Sequence, residues 1–363
     1  MNDCSPARAR TRVLVVDDSA FMRTALARII DAEPDMQVVA SACSGSCAID
    51  KIVALDPDVV TLDVSMPGLD GLGTLRRIMS HSPRPVIMVS ATTEKDAVTT
   101  LAALSAGAFD YVPKQLSPVS LDIMHIRSDL IAKIRGAAQV RKNRLATVPF
   151  QNPSRSADFD DTGVLGVAPA VVAIGVSTGG PKALEQILPR FPSDFPIPLL
   201  IVQHMPIGFT GPFAQRLNNL CSIPVREAAQ SELIKPGTAY IAPAGLHMRV
   251  TRRLSDSKRI LCLDSHPEDA LHIPSIDILM TSAAEVFRNR VIGVIMTGMG
   301  CDGAEGMTAI FRHGGLTIGQ DEATCAVYGM PRACAELGII MRVVPLFEIP
   351  SQIIHATRRR KQA

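Results

Sequence analysis

The chain has 363 residues, 47% of them hydrophobic and only 4% aromatic with no Trp, and a formal net charge of +2. That length favours two or three domains, and the near-neutral charge argues against a nucleic-acid-binding surface. No apolar stretch approaches a membrane span, Met1–Arg8 has no apolar signal core, and the 8 Cys show neither CxxC nor Cys/His metal spacing. A cytoplasmic protein with reduced thiols and no membrane insertion is therefore expected.

Residues 11–135 alternate short apolar runs with amphipathic stretches. Val13–Val16, Gln37–Ala40, Asp58–Leu62, Pro85–Val89 and Phe109–Val112 read as buried strands. Between the first two, Phe21, Met22, Ala25, Leu26, Ile29 and Ile30 repeat at helical spacing, with Ser19 as a cap and Pro34 just beyond the end. Cys43 and Cys47 read as small core filler on the next helix. Ile123, Ile126, Leu130 and Ile134 mark a last helix. Five strands alternating with helices imply a doubly wound, five-stranded parallel sheet.

Residues 136–168 mix Arg, Asn, Pro, Ser and Asp without periodicity and read as a linker. The α/β alternation resumes over 169–360. Val171–Ile174, Leu199–Val202, Ala239–Ile241, Ile260–Leu263, Val291–Ile295, Leu316–Ile318 and Val343–Val344 are its strands. Continuous apolar runs suit strands covered on both faces. The spacing around 235–265 suggests a small antiparallel insertion on a second doubly wound sheet. The basic run Arg358–Lys361 reads as the end of a helix, suited to the negative pole of its dipole.

In the first half, Asp17 and Asp18 follow the first strand, Asp63 ends the third, Ser90 closes the fourth and Lys114 follows the fifth. Three carboxylates at one sheet edge repel one another unless a cation joins them, and a hard oxygen site suits Mg²⁺. Such a site favours phosphoryl transfer to a carboxylate, with a hydroxyl and an ammonium placed to meet the new phosphate. This half resembles the receiver domain of two-component response regulators. The resemblance implies phosphorylation at Asp63, metal binding by Asp17, Asp18 and Asp63, and switching through Ser90, Lys114 and Tyr111. Gln115 stands where a Pro commonly follows that lysine, and Ser65 where related domains often carry a longer polar residue.

In the second half, Gly175-Val-Ser177-Thr-Gly179 has the spacing of a nucleophile elbow, with Pro181 suited to the first turn of the following helix. Its alternative use is a phosphate-binding glycine loop. His204 ends the next strand at the same sheet edge, and Asp302 follows a third strand in a Gly-rich turn. A hydroxyl, an imidazole and a carboxylate are the parts of a serine hydrolase, although Asp302 could equally cap the helix starting at Ala304. His247, His266 and His272 are weaker base candidates. The order Ser–His–Asp departs from that of α/β-hydrolases.

Gly175–Pro181, Gln203–Met205, Met296–Ala304 and Val327–Pro331 resemble segments of the CheB methylesterase family. That resemblance implies Ser177 as nucleophile, His204 as base, Asp302 as its partner, and backbone N–H groups near Thr178 and Met299 as oxyanion donors. It further implies a phosphorylation-activated protein-glutamate methylesterase, and glutamine deamidase, with no cofactor for the ester reaction. Its partners would be methyl-accepting chemoreceptor helices and a chemotaxis histidine kinase. A non-catalytic nucleotide-binding effector and a DNA-binding response regulator are the rival readings.

Overall fold

A computed structural model of the chain describes residues 10–91, 93–114, 122–139 and 168–358. They fall into two compact units, one on each side of residues 140–167.

In the first unit the elements alternate: β1 (Thr11–Val16), α1 (Ala20–Asp31), β2 (Met36–Ala42), α2 (Gly45–Leu55), β3 (Val59–Asp63), α3 (Gly71–His81), β4 (Val86–Ser90), α4 (Glu94–Ser105), β5 (Asp110–Pro113) and α5 (Asp122–Gln139). The sheet has the order β2-β1-β3-β4-β5, with every ladder parallel. β3 and β4 are buried at every position because helices cover both faces. Ser19 caps α1 as expected, its Oγ accepting the Met22 N–H at 3.4 Å. Asp70 caps α3 through the Gly73 N–H at 2.7 Å. α5 continues to Gln139; residues 140–167 of the expected linker, Gln115, and residues 359–361 of the basic tail lie outside the described residues.

The second unit comprises β6 (Val171–Val176), α6 (Gly180–Ile187), β7 (Leu199–Gln203), α7 (Thr210–Leu220), β8 (Val225–Glu227), β9 (Ala239–Ile241), β10 (His247–Arg252), β11 (Arg259–Asp264), α8 (Ile276–Phe287), β12 (Val291–Ile295), α9 (Ala304–Arg312), β13 (Leu316–Gln320), α10 (Met330–Glu336), β14 (Arg342–Val344) and α11 (Ile349–Arg358). Its seven-stranded sheet, β14-β13-β12-β6-β7-β9-β8, is parallel throughout. The chain enters at β6, builds outward through β7, then returns to lay β12 on the other side of β6. Between β6 and β12 lies the switch point at which open α/β sheets bind ligands.

The antiparallel insertion is the β10–β11 hairpin alone. Ala239–Ile241, grouped with it by spacing, instead pairs in parallel with β7 in the main sheet. With few aromatics available, aliphatic and Met side chains fill the core: Leu200, Val202, Met248, Leu261, Leu279, Met280, Ile295 and Met307 share one buried cluster with Tyr240. No described helix is long and apolar enough to cross a membrane.

Candidate active site and phosphorylation site

β6 ends at Val176, and three residues carry the chain through a sharp turn into α6. Gly179 takes φ 75°, the left-handed region where a side chain would be strained, and a Cβ there would also meet Ala326 Cβ at 2.5 Å. Gly298 is equally constrained, since its Cβ would sit 2.8 Å from Ser177 Cβ and 2.4 Å from Met330 Sδ. The glycines thus bring two backbones against the serine.

Val176 pairs with Gln203 across the β6–β7 ladder, so Ser177 and His204 are the next positions in register. The His204 N–H donates to Val176 O at 3.2 Å. On the other side of β6, Ser177 N donates to Thr297 O at 3.0 Å, where the loop after β12 begins its path to Asp302. Three neighbouring strands therefore deliver the three sequence-predicted groups to one edge.

His204 Nε2 lies 2.8 Å from Asp302 Oδ2. With a carboxylate as partner, Nε2 carries the proton and Nδ1 is left as the acceptor. Nδ1 is buried and makes no hydrogen bond among the described residues. The ring is used in the reverse sense from the chymotrypsin triad, where the carboxylate holds Nδ1 and Nε2 faces the serine. Nor does the Ser177 hydroxyl bond to any described residue, a looseness common before substrate arrives.

Asp302 does not cap the helix that follows it; Gly303, at φ 100°, stands there with no side-chain cap bond. Its carboxylate instead meets the N-terminus of α8. Oδ1 accepts from Ser275 Oγ and Asp277 N, both at 3.0 Å, and Oδ2 from Ile276 N at 2.8 Å as well as from His204. Burial alone would raise its pKa, but His204 and these N–H groups outweigh burial and hold the carboxyl well below its usual range. The partner of His204 is a fixed negative charge.

Asp277 is the complementary case. Burial, reinforced by the neighbouring Asp302 charge, raises its pKa above the ordinary carboxylate range even though Oδ1 accepts the Gly306 N–H at 2.7 Å. An acid whose folded pKa is raised binds its proton more tightly when folded, so stability is lost as pH climbs from the unfolded value through the folded one. Asp277→Asn keeps the acceptor and cannot ionise. Its thermal midpoint should exceed wild type at about pH 8, and the gap should close towards about pH 4. Melts showing the same offset across that range would contradict this assignment.

Neither the Thr178 nor the Met299 N–H donates to a described backbone carbonyl, which leaves both available to a developing oxyanion. Thr297 braces the two turns: its Oγ1 donates to Thr178 O at 2.9 Å and accepts from Val327 N at 3.0 Å, while its N–H is held by Gln320 Oε1 at 2.8 Å. His247 lies fully buried in β10, and its Nδ1 accepts from Ser275 N at 3.1 Å. It braces the segment leading into α8 and is remote from the role of base. His266 offers its carbonyl to Arg249. The ring of His272 lies 4.2 Å from that of His204, stacked at 21°.

In the first unit, donor oxygens of Asp17, Asp18 and Asp63 lie within 4.8 Å of one another. Lys114 Nζ reaches Asp63 Oδ1 at 2.7 Å and Asp17 Oδ2 at 3.0 Å. Asp63 Oδ2 is buried without a hydrogen bond. Burial, aided by the Asp17 charge, raises the Asp63 pKa despite Lys114. An under-satisfied buried oxygen in an all-carboxylate set fits a hard divalent cation such as Mg²⁺. Ser90 Oγ accepts from Thr100 Oγ1 at 2.8 Å, and its carbonyl accepts the Lys114 N–H at 2.7 Å, tying Ser90 to Lys114. Tyr111 is buried, 3% exposed, with Lys133 Nζ 5.4 Å from its ring centre.

The CheB methylesterase family model matches residues 172–353, and the response regulator receiver domain model matches 13–124. A protein-glutamate methylesterase/protein-glutamine glutaminase of Nitratidesulfovibrio vulgaris is 46% identical, over 94% of this chain and 98% of its own. One from Oleidesulfovibrio alaskensis is 44% identical, over 95% and 99%. Among solved structures, the Thermotoga maritima CheB methylesterase catalytic domain is 39% identical with a TM-score of 0.50, covering 52% of this chain and 99% of that one. The chain belongs to the CheB methylesterase family and carries a response regulator receiver domain ahead of its methylesterase domain.

Proposed function

We propose that the chain is a phosphorylation-activated protein-glutamate methylesterase and protein-glutamine glutaminase of chemotaxis, acting in the cytoplasm on methyl-accepting receptors. The observation that carries this reading is the His204–Asp302 pair at 2.8 Å, with Nδ1 unengaged and His204 in register with Ser177 on the neighbouring strand. Ser177 Oγ attacks the ester carbonyl carbon as His204 Nδ1 takes the hydroxyl proton. The imidazolium that forms is stabilised by Asp302, and the carbonyl oxygen, now negative, is met by the Thr178 and Met299 N–H groups. Collapse breaks the acyl–methoxy bond, and His204 returns the proton so that methanol leaves. Water then attacks the acyl-enzyme, giving its proton to Nδ1, and Ser177 departs reprotonated with a free γ-carboxylate released. With an amide the sequence is the same, and ammonia leaves. Nucleophile, base and oxyanion donors all come from the chain itself.

In the receiver, Asp63 is the proposed phosphate acceptor, with a histidine kinase as donor. Asp17, Asp18 and Asp63 would hold Mg²⁺, which neutralises charge on the phosphoryl group in transfer. Lys114, already paired with Asp63, would meet the phosphate, and Ser90 and Tyr111 would answer it. The reading as a nucleotide-binding effector is disfavoured by Asp302, a carboxylate placed in the very turn that would have to cradle a phosphate.

Release of methanol from methylated receptor membranes, with and without acetyl phosphate, tests the whole reading. Chelation of Mg²⁺ should abolish the stimulation by acetyl phosphate and leave basal hydrolysis unchanged. Loss of basal hydrolysis on chelation would place a metal in the ester reaction.

A further inference from the structure

The bond from Nε2 to Asp302 fixes one atom of the His204 ring but leaves the ring free to rock about that contact. The face of His272, stacked at 4.2 Å and 21°, opposes that rocking. His272 lies in the segment between β11 and α8, and that segment is itself anchored at several points. Ile273 O accepts the Gly245 N–H at 3.2 Å, and Ser275 N donates to buried His247 Nδ1 at 3.1 Å. The same few residues then supply Ser275 Oγ and the Ile276 and Asp277 N–H groups to Asp302. One short stretch of chain thus grips both the base and its partner.

We infer that His272 is a positioning residue for the proposed esterase reaction, its ring face holding the His204 imidazole in the plane that turns Nδ1 towards Ser177. The inference rests on the proposed roles of Ser177 and His204. Stacking requires a flat π surface, and an imidazolium forming on His204 would also gain from lying over such a face. It requires no particular ring nitrogen of His272. A flat hydrocarbon ring should therefore substitute for it where a methyl group cannot.

The test uses the full-length chain with His272→Ala and His272→Phe. Its readouts are methanol release and the low-field proton resonance of the Nε2–H···Asp302 bond in the substrate-free protein. His272→Ala is expected to lower kcat by about 10- to 100-fold with KM little changed, since a small misplacement of a reacting group costs on that order. It should also broaden or erase the low-field resonance. His272→Phe should restore most of both. Because the resonance needs no turnover, a change in it stands even if Ser177→Ala proves active and the catalytic reading fails. An unperturbed resonance and kcat within about twofold of wild type in His272→Ala would overturn the inference. So would equal impairment of the Ala and Phe variants, which would assign His272 a role through a ring nitrogen.

Discussion

Ser177→Ala should leave a fully folded protein whose ester hydrolysis is lower by about 10⁴-fold or more, the scale on which serine hydrolases lose turnover without their nucleophile. The Ser177 hydroxyl makes no hydrogen bond among the described residues, so its removal strands no partner and the thermal midpoint should not move. His204→Ala should cost about as much in rate, and combining the two should add little, because triad members act as a unit. Asp302 differs in a way that its place in the proposed triad alone does not foretell. It receives four hydrogen bonds, three of them from the first residues of α8 and the Ser275 that precedes them. Asp302→Ala should therefore lose stability as well as rate, leaving donors at that helix start unsatisfied. Methanol release paired with thermal melts separates the three variants. Near-normal turnover in Ser177→Ala would end the serine mechanism, and an unshifted melt in Asp302→Ala would contradict the anchoring role.

The second large effect belongs to Asp63. In wild type, acetyl phosphate should stimulate hydrolysis. In Asp63→Asn the ratio of activities with and without it should fall to unity, because no carboxylate oxygen remains to take the phosphoryl group. The variant should fold well. Burial already disfavours the Asp63 charge, Asp17 repels it, and an amide oxygen can still accept from Lys114. Its basal activity should therefore stay near wild type. Undiminished stimulation in this variant would move the phosphorylation site elsewhere.

Much of this was legible in the residues because parallel α/β sheets advertise themselves. A fully buried strand must be a continuous apolar run, and the residue just past it must lie at the ligand edge; Ser177, His204, Asp17 and Lys114 directly follow their strands, and Asp302 lies farther along the loop after β12. Val225–Glu227 has no sequence signal, because a three-residue edge strand with one buried side chain carries no period. The helix Ile276–Phe287 did carry a signal, a Ser275 cap followed by Ile276, Leu279, Met280, Ala283 and Phe287 on its buried side. What no local pattern could report is that this helix points its N-terminus at Asp302, or that His272 lies flat on His204. Both are contacts between segments far apart in the chain, fixed by how the helix packs and not by its neighbours in sequence.

The position of β12 beside β6 also sets an order of events during synthesis. The receiver sheet closes with residues that emerge early, and its described strands pair with one another alone. The esterase sheet starts at Val171, but the central strand beside it spans Val291–Ile295, and the carboxylate that completes the site comes later still. Pairings this distant are slow because a long loop must close before any contact rewards it. A chain still on the ribosome should thus hold a finished phosphate-accepting switch while its hydrolase remains unassembled. No ester-cleaving activity should arise in a nascent or C-terminally truncated chain before its regulator is in place.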